Sequence, residues 1–216
     1  WMLHDACASL AKAEFVSHEF GDDIHCQHTR FSNGADVWSN RRTNDVWTVA
    51  GVTLPSYGFL VKAPNGPECG VVLKAGQRVG YAKAKGVTFV DGRLPEAGGS
   101  HPQAKSAAVG AKLLARKRQL GWNDEGRPVD FGGIVTPGAV RLEHPTSGDW
   151  RVAALPGSRA FPVEIDLAAF GAANRRVTAL EPVDAGDTKV TWRQDGAKLS
   201  FVFPAETFAY RIRFDD

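Results

Sequence analysis

The 216-residue chain is short of cysteine (three) and methionine (one), and charge of neither sign dominates it. Each shortage closes a class of protein. Cys7, Cys26 and Cys69 are odd in number and have no CxxC spacing, so they cannot all pair within the chain. A chain of this length removes roughly 70% of its extended surface from water on folding, so it needs no disulfide scaffold or structural metal. The 26 Lys and Arg offset 24 Asp and Glu to leave +2, which creates no general demand for a nucleic-acid partner. No apolar run approaches the ~18 residues of a membrane-spanning helix. The first residues, Trp1 to Ala13, are interrupted by His4, Asp5 and Lys12 and do not form a secretory leader. The start at Trp1 creates the expectation of a processed or partial chain, for which secretion remains open.

Catalytic signatures are scarce as well. The chain contains no GxGxxG, GxxxxGK[ST], HExxH or GxSxG pattern. Asp130-Phe131-Gly132 imitates the kinase triplet without the rest of that machinery, and Ser100-His101 lies in a Gly-rich stretch with no elbow to expose a nucleophile. No cofactor is expected.

What the chain has in quantity is turn residues. Gly and Pro make up 35 of 216 residues and fall between short apolar segments. Asn33-Gly34 separates two strand-like runs, and Asp195-Gly196 does the same near the C-terminus; both are hairpin signals. Alternation puts Phe161, Val163, Ile165 and Leu167 on one face, with Leu199, Phe201 and Phe203 forming a second such set and Phe208, Tyr210, Ile212 and Phe214 a third. One apolar face per strand predicts antiparallel sheets packed as a β-sandwich. Two segments depart from this period. Leu3, Cys7, Leu10, Ala11 and Phe15 follow helical spacing, and Gln103 to Leu120 carries Ala107, Ala111, Leu114 and Leu120 on one helical side.

The predicted organisation is therefore a helix over residues 1–20, a β-meander subdomain over 21–93, an inserted loop and basic helix over 94–128, and an antiparallel β-sandwich subdomain over 129–216. The inserted segment holds six basic residues against three acidic ones. No aromatic residue interleaves the charges of its helix, so a solvated helix face outranks nucleic-acid binding.

Three groups of side chains could carry chemistry. His18, Asp22, Asp23, His25, Cys26 and His28 contain the right atoms for zinc, with Cys26 and His28 the pair that would share a strand face; the ordinary reading is polar residues at a strand start. Glu68, Asp91, Glu143 and Asp149 are carboxylates of the type a glycosidase uses, but sequence spacing does not set their separation. The six indoles Trp1, Trp38, Trp47, Trp122, Trp150 and Trp192 offer flat faces on which sugars stack. The carbohydrate-contacting candidates are Trp38 with Asn40, Trp47 with Asn44, and Trp122, and the competing reading for each indole is core packing.

Thr29-Arg-Phe-Ser-Asn-Gly-Ala-Asp-Val-Trp-Ser-Asn40, followed by Trp47-Thr-Val-Ala-Gly-Val-Thr-Leu-Pro-Ser-Tyr-Gly-Phe59, resembles a pattern found after the catalytic barrel of multidomain glycoside hydrolases. Asp130 to Thr136, Leu155 to Ser158 and Phe208 to Ile212 are similar to the closing β-sandwich of the same proteins. The resemblance implies a non-catalytic accessory region that packs against a catalytic domain and contacts glycan, with the acid and nucleophile elsewhere. An independent carbohydrate-binding module and a small hydrolase in its own right are the alternatives. The implied partners are carbohydrate or a neighbouring catalytic domain, without a membrane.

Overall fold

The Asn33-Gly34 and Asp195-Gly196 turns form as their sequences predict, with Gly34 at φ 76° and Gly196 at φ 56°, values that cost glycine little. In the computed structural model, which describes residues 2–64, 66–93, 128–146, 148–155, 160–184, 188–205 and 207–215, the protein is mainly antiparallel β. The predicted insertion over 94–128, with its basic helix and Trp122, lies outside the described residues except for Pro128.

The chain opens with α1 (His4–Leu10) and enters β1 (Phe15–Phe20). The helix thus ends ten residues before the predicted limit. Phe15, which helical spacing placed on the α1 face, instead pairs with Phe31 in a strand ladder. β1 pairs with β2 (Cys26–Phe31), which turns into β3 (Asp36–Asn40). A small hairpin follows, made of β4 (Trp47–Val49) and β5 (Val52–Leu54). The meander continues through β6 (Phe59–Lys62), β7 (Glu68–Lys74), β8 (Gln77–Ala84) and β9 (Val87–Asp91).

The C-terminal half divides between two sheets. β10 (Val129–Phe131), β11 (Ile134–Thr136), β14 (Phe161–Asp166), β16 (Trp192–Asp195) and β17 (Lys198–Phe203) form a five-stranded sheet. β12 (Ala139–Glu143), β13 (Trp150–Ala154), β15 (Val177–Pro182) and β18 (Ala209–Phe214) join the meander instead, because β12 pairs with β9. Strands from before and after 94–128 therefore share one large sheet, although β10 and β11, the first to follow the insertion, belong to the small one.

The predicted apolar faces become the interior of the sandwich. Ile165, Leu167, Leu199, Phe203, Tyr210 and Ile212 are fully buried. From the small sheet Phe203 stacks on Phe161, with ring centres 5.7 Å apart, and meets Tyr210 of the large sheet at 5.3 Å. Phe208 departs from the alternation: it precedes β18 and its ring lies beneath the Arg151 guanidinium, 5.7 Å away. The outer face of the large sheet has its own apolar cluster, in which Ala6 of α1, with Met2 and Leu10 beside it, covers Val61, Cys69, Ala82 and Phe89.

At one end of the sandwich His144 packs on Phe170 at 4.7 Å and on Trp150 at 5.7 Å. Burial holds its imidazole below the ordinary value of 6.5. The unfolded chain accepts this proton first as pH falls, so His144 contributes a loss of stability that begins near about pH 6.5 and ends below its folded pKa. His144→Gln is expected to flatten the stability slope just below about pH 6.5 in urea unfolding. A slope unchanged by the substitution would assign the pH dependence to other groups.

Candidate functional site

The indoles that are candidates for sugar contact separate by burial. Trp47 is 7% exposed and belongs to the main core. It packs so near Gly21 that a Cβ there would lie 2.8 Å from its ring. Trp47 is therefore core, which corrects its assignment as a stacking platform. Trp150 is core as well, and Trp192 lies opposite Phe201 in the ladder, half-buried against the interior.

Asn40 requires the same correction. It is 1% exposed, and its Nδ2 donates to the carbonyls of Asp45, Leu54 and Pro55 at 2.9, 3.2 and 3.0 Å. Its Oδ1 accepts from the Arg42 backbone N–H. With its side chain occupied in this way, Asn40 ties the end of β3 to the β4–β5 hairpin and offers no donor to a sugar hydroxyl. Its motif position marks a structural clamp.

Trp38 is different. It remains half-buried and stacks on His28 at 4.7 Å, with the rings 9° from parallel. His28 Nε2 hydrogen-bonds Asp36 at 2.7 Å, and Asp36 also lies 3.6 Å from the Arg30 guanidinium. These partners arise from register: His28 faces Trp38 and Arg30 faces Asp36 in the β2–β3 ladder, and directly opposed residues share a sheet face. The same register carries the row onward, because Asp36 faces Lys62, Lys62 faces Glu68 and Glu68 faces Lys83. Glu68 accepts from the buried Tyr81 hydroxyl, and Lys83 lies over the Phe131 ring at 5.1 Å. Burial and the Glu68 carboxylate both keep the Tyr81 phenol protonated. Trp38 thus stands half-buried beside a row of alternating charges that pair with one another.

The proposed zinc pair does not converge with further ligands. Cys26 is fully buried in the main core, where desolvation raises its thiol pKa, whereas His28 is engaged by Asp36 and Trp38. Among the described residues no group of three or more His, Cys, Asp or Glu side chains could hold a metal ion. Asp22, Asp23 and Asp45 instead surround Arg42, whose Nε lies 2.9 Å from Asp23. That cation and the His25 backbone N–H lower the Asp23 pKa, the backbone bond having the larger effect.

The candidate carboxylates are engaged too. Asp91 holds Arg93 at 2.9 Å, Glu143 holds Arg141 at 3.0 Å, and Asp149 meets both Arg211 and Arg213. The Asp91–Arg93 and Arg141–Glu143 pairs span two residues each, whereas Asp149 reaches arginines more than sixty residues away, a pairing that sequence spacing does not show. Two concavities also went unpredicted. One, of about 470 Å³, lies on the outer side of the five-stranded sheet beside Val135, Pro162 and Val202. The other, of about 250 Å³, lies on the outer side of the large sheet beside Arg141 and Arg151.

Exposed apolar residues gather at the free edge of the large sheet. Phe15, Val16 and Phe20 of β1 are 58–63% exposed, and Ile24 in the following turn is 65% exposed. No helix among the described residues is long and apolar enough to cross a membrane. No family model matches the chain, and no similar curated protein or solved structure was found.

Proposed function

We propose that this chain is a non-catalytic β-sandwich region of a carbohydrate-active glycoside hydrolase, and that it docks on a catalytic domain through the free edge at β1. The carrying observation is the exposure of Phe15, Val16, Phe20 and Ile24 along that edge. Grouped apolar side chains of this size mark contact surfaces, and an edge strand also offers unpaired backbone groups. The resemblance of residues 29–59 and of the C-terminal strands to the region after a hydrolase barrel supplies the identity of the partner.

The test is to read the gene upstream of the Trp1 codon and to measure the intact mass of the natural product. A frame that continues into a domain with paired carboxylates, together with Phe15→Ser and Phe20→Ser variants that loosen the contact between domains in limited proteolysis, is the expected result. A natural product of 23.3 kDa with no associated catalytic domain would overturn it.

An independent carbohydrate-binding module is favoured by one observation, the stacked and accessible Trp38. It predicts that oligosaccharide quenches indole fluorescence and that Trp38→Ala abolishes the quenching. Binding unchanged by that substitution sinks this second reading.

A further inference from the structure

The 250 Å³ hollow on the outer face of the large sheet is lined by His4, Arg141, Glu143, Arg151, Ala153 and Phe208. It is built from three distant parts of the chain: α1, which supplies His4, the neighbouring strands β12 and β13, and the segment before β18. β12 supplies Arg141 and Glu143, β13 supplies Arg151 and Ala153, and the residues before β18 supply Phe208. Register explains the grouping, because Glu143 faces Arg151 and Arg141 faces Ala153 across the β12–β13 pair. The small side chain of Ala153 leaves room between the longer ones.

The charges in this hollow do not balance. Arg141 Nε is 3.0 Å from Glu143, which occupies that carboxylate. Arg211, facing Arg151 on the other side, is paired with Asp149 at 3.4 Å. Arg151 makes no ion pair among the described residues, and its Nε is shielded from solvent with no hydrogen-bond partner. A guanidinium is a fork of fixed N–H donors that suits a carboxylate, and with no ion pair Arg151 has its charge uncompensated beside the hollow. Phe208, its ring centre 5.7 Å from this guanidinium, gives the hollow one apolar wall.

We infer that this hollow binds a single carboxylate-bearing sugar residue, of the uronic acid class, with Arg151 holding the carboxylate and Phe208 covering the apolar side of the ring. The inference rests on the reading of the chain as part of a carbohydrate-active protein. The size of the hollow suits one ring. Its excess of one positive charge suits one acidic group, and an aromatic wall beside a cationic fork matches the two sides of a sugar acid.

The test compares tetragalacturonate with neutral galactotetraose in calorimetry and in thermal melts of the 216-residue chain. Tetragalacturonate is expected to bind and to raise the melting temperature, because a ligand held only by the folded state stabilises it, while the neutral sugar does neither. Arg151→Gln is expected to weaken binding by about tenfold or more, and Arg151→Lys, which keeps the charge but lacks the fork, to restore only part of it. Should Arg151→Gln fail to fold, the comparison of acidic and neutral sugars on the unaltered chain decides alone. Equal effects of the two sugars, or binding indifferent to position 151 in folded variants, would overturn the inference. Equal effects from acetate or polyglutamate would also overturn it, by showing a site for any carboxylate. A chain that docks on a catalytic domain yet ignores tetragalacturonate would refute this site and leave the proposed function standing.

Discussion

Phe203→Ala is expected to lower the free energy of unfolding by about 3–5 kcal/mol, which for a chain of this size removes a large part of the total. Phe203 is fully buried at the centre of the contact between the two sheets, against Phe161, Phe201 and Tyr210. Truncation loses the transfer of a phenyl ring from water and leaves a cavity walled by rings fixed in their strands, so little of the volume can be recovered by collapse. Urea unfolding followed by tryptophan fluorescence measures the change. A loss below about 1 kcal/mol would mean that the interior near Tyr210 can close over the gap, contrary to a tightly packed sandwich. Phe208→Ala makes an informative contrast: its ring packs on Arg151 outside that interior, and a smaller loss is expected.

Asn40→Asp is expected to be the most damaging polar substitution among the motif residues, at about 3–5 kcal/mol near neutral pH. The amide of Asn40 donates to three carbonyl oxygens at a position 1% exposed. A carboxylate in its place turns donors into a buried negative charge facing those oxygens, and its folded pKa must rise. With a folded pKa above the unfolded value, the variant is least destabilised in acid, and the penalty grows as pH rises past about 4. Asn40→Ala removes the donors without adding charge and is expected to cost about 2–3 kcal/mol, since several backbone acceptors lose their partner. Urea unfolding of both variants near pH 4 and pH 7 tests the order. If Asn40→Asp proves as stable as the unaltered protein, the clamp reading falls and a ligand-contacting role for Asn40 reopens.

These two residues show where the amino-acid order was informative and where it was not. Phe203 belongs to an alternating run whose buried face is legible because side chains on a strand change sides at every residue. Asn40 was visible as part of a motif, but polar type and spacing alone do not distinguish a side chain that binds a ligand from one that satisfies buried backbone. The distinction depends on the β4–β5 hairpin folding back to bring the carbonyls of Leu54 and Pro55 within reach. Trp38 and Trp47 make the same point as a pair. Both are indoles on short strands, yet Trp47 is sealed against Gly21 and Cys26 while Trp38 keeps an accessible side and gains His28 as a stacking partner.

Local order along the chain was enough to establish the mainly antiparallel β class, the two Gly turns and the principal apolar faces, because hairpin formation and strand alternation depend on residues a few positions apart. It was also enough to exclude a scaffold of disulfides and an apolar membrane helix. The early end of α1 was less legible, since Phe15 and Val16 fit a helical face or a strand equally well until β2 provides a partner. Tertiary pairing alone decided that β9 joins β12, while β10 and β11 between the insertion and β12 go to the other sheet. The β12–β13 and β13–β18 pairings brought Arg141, Arg151 and Phe208 around one hollow and left Arg151 without an acid partner among the described residues. Such arrangements depend on register between strands far apart in the chain. A change of one residue in register would turn each of these side chains to the opposite face.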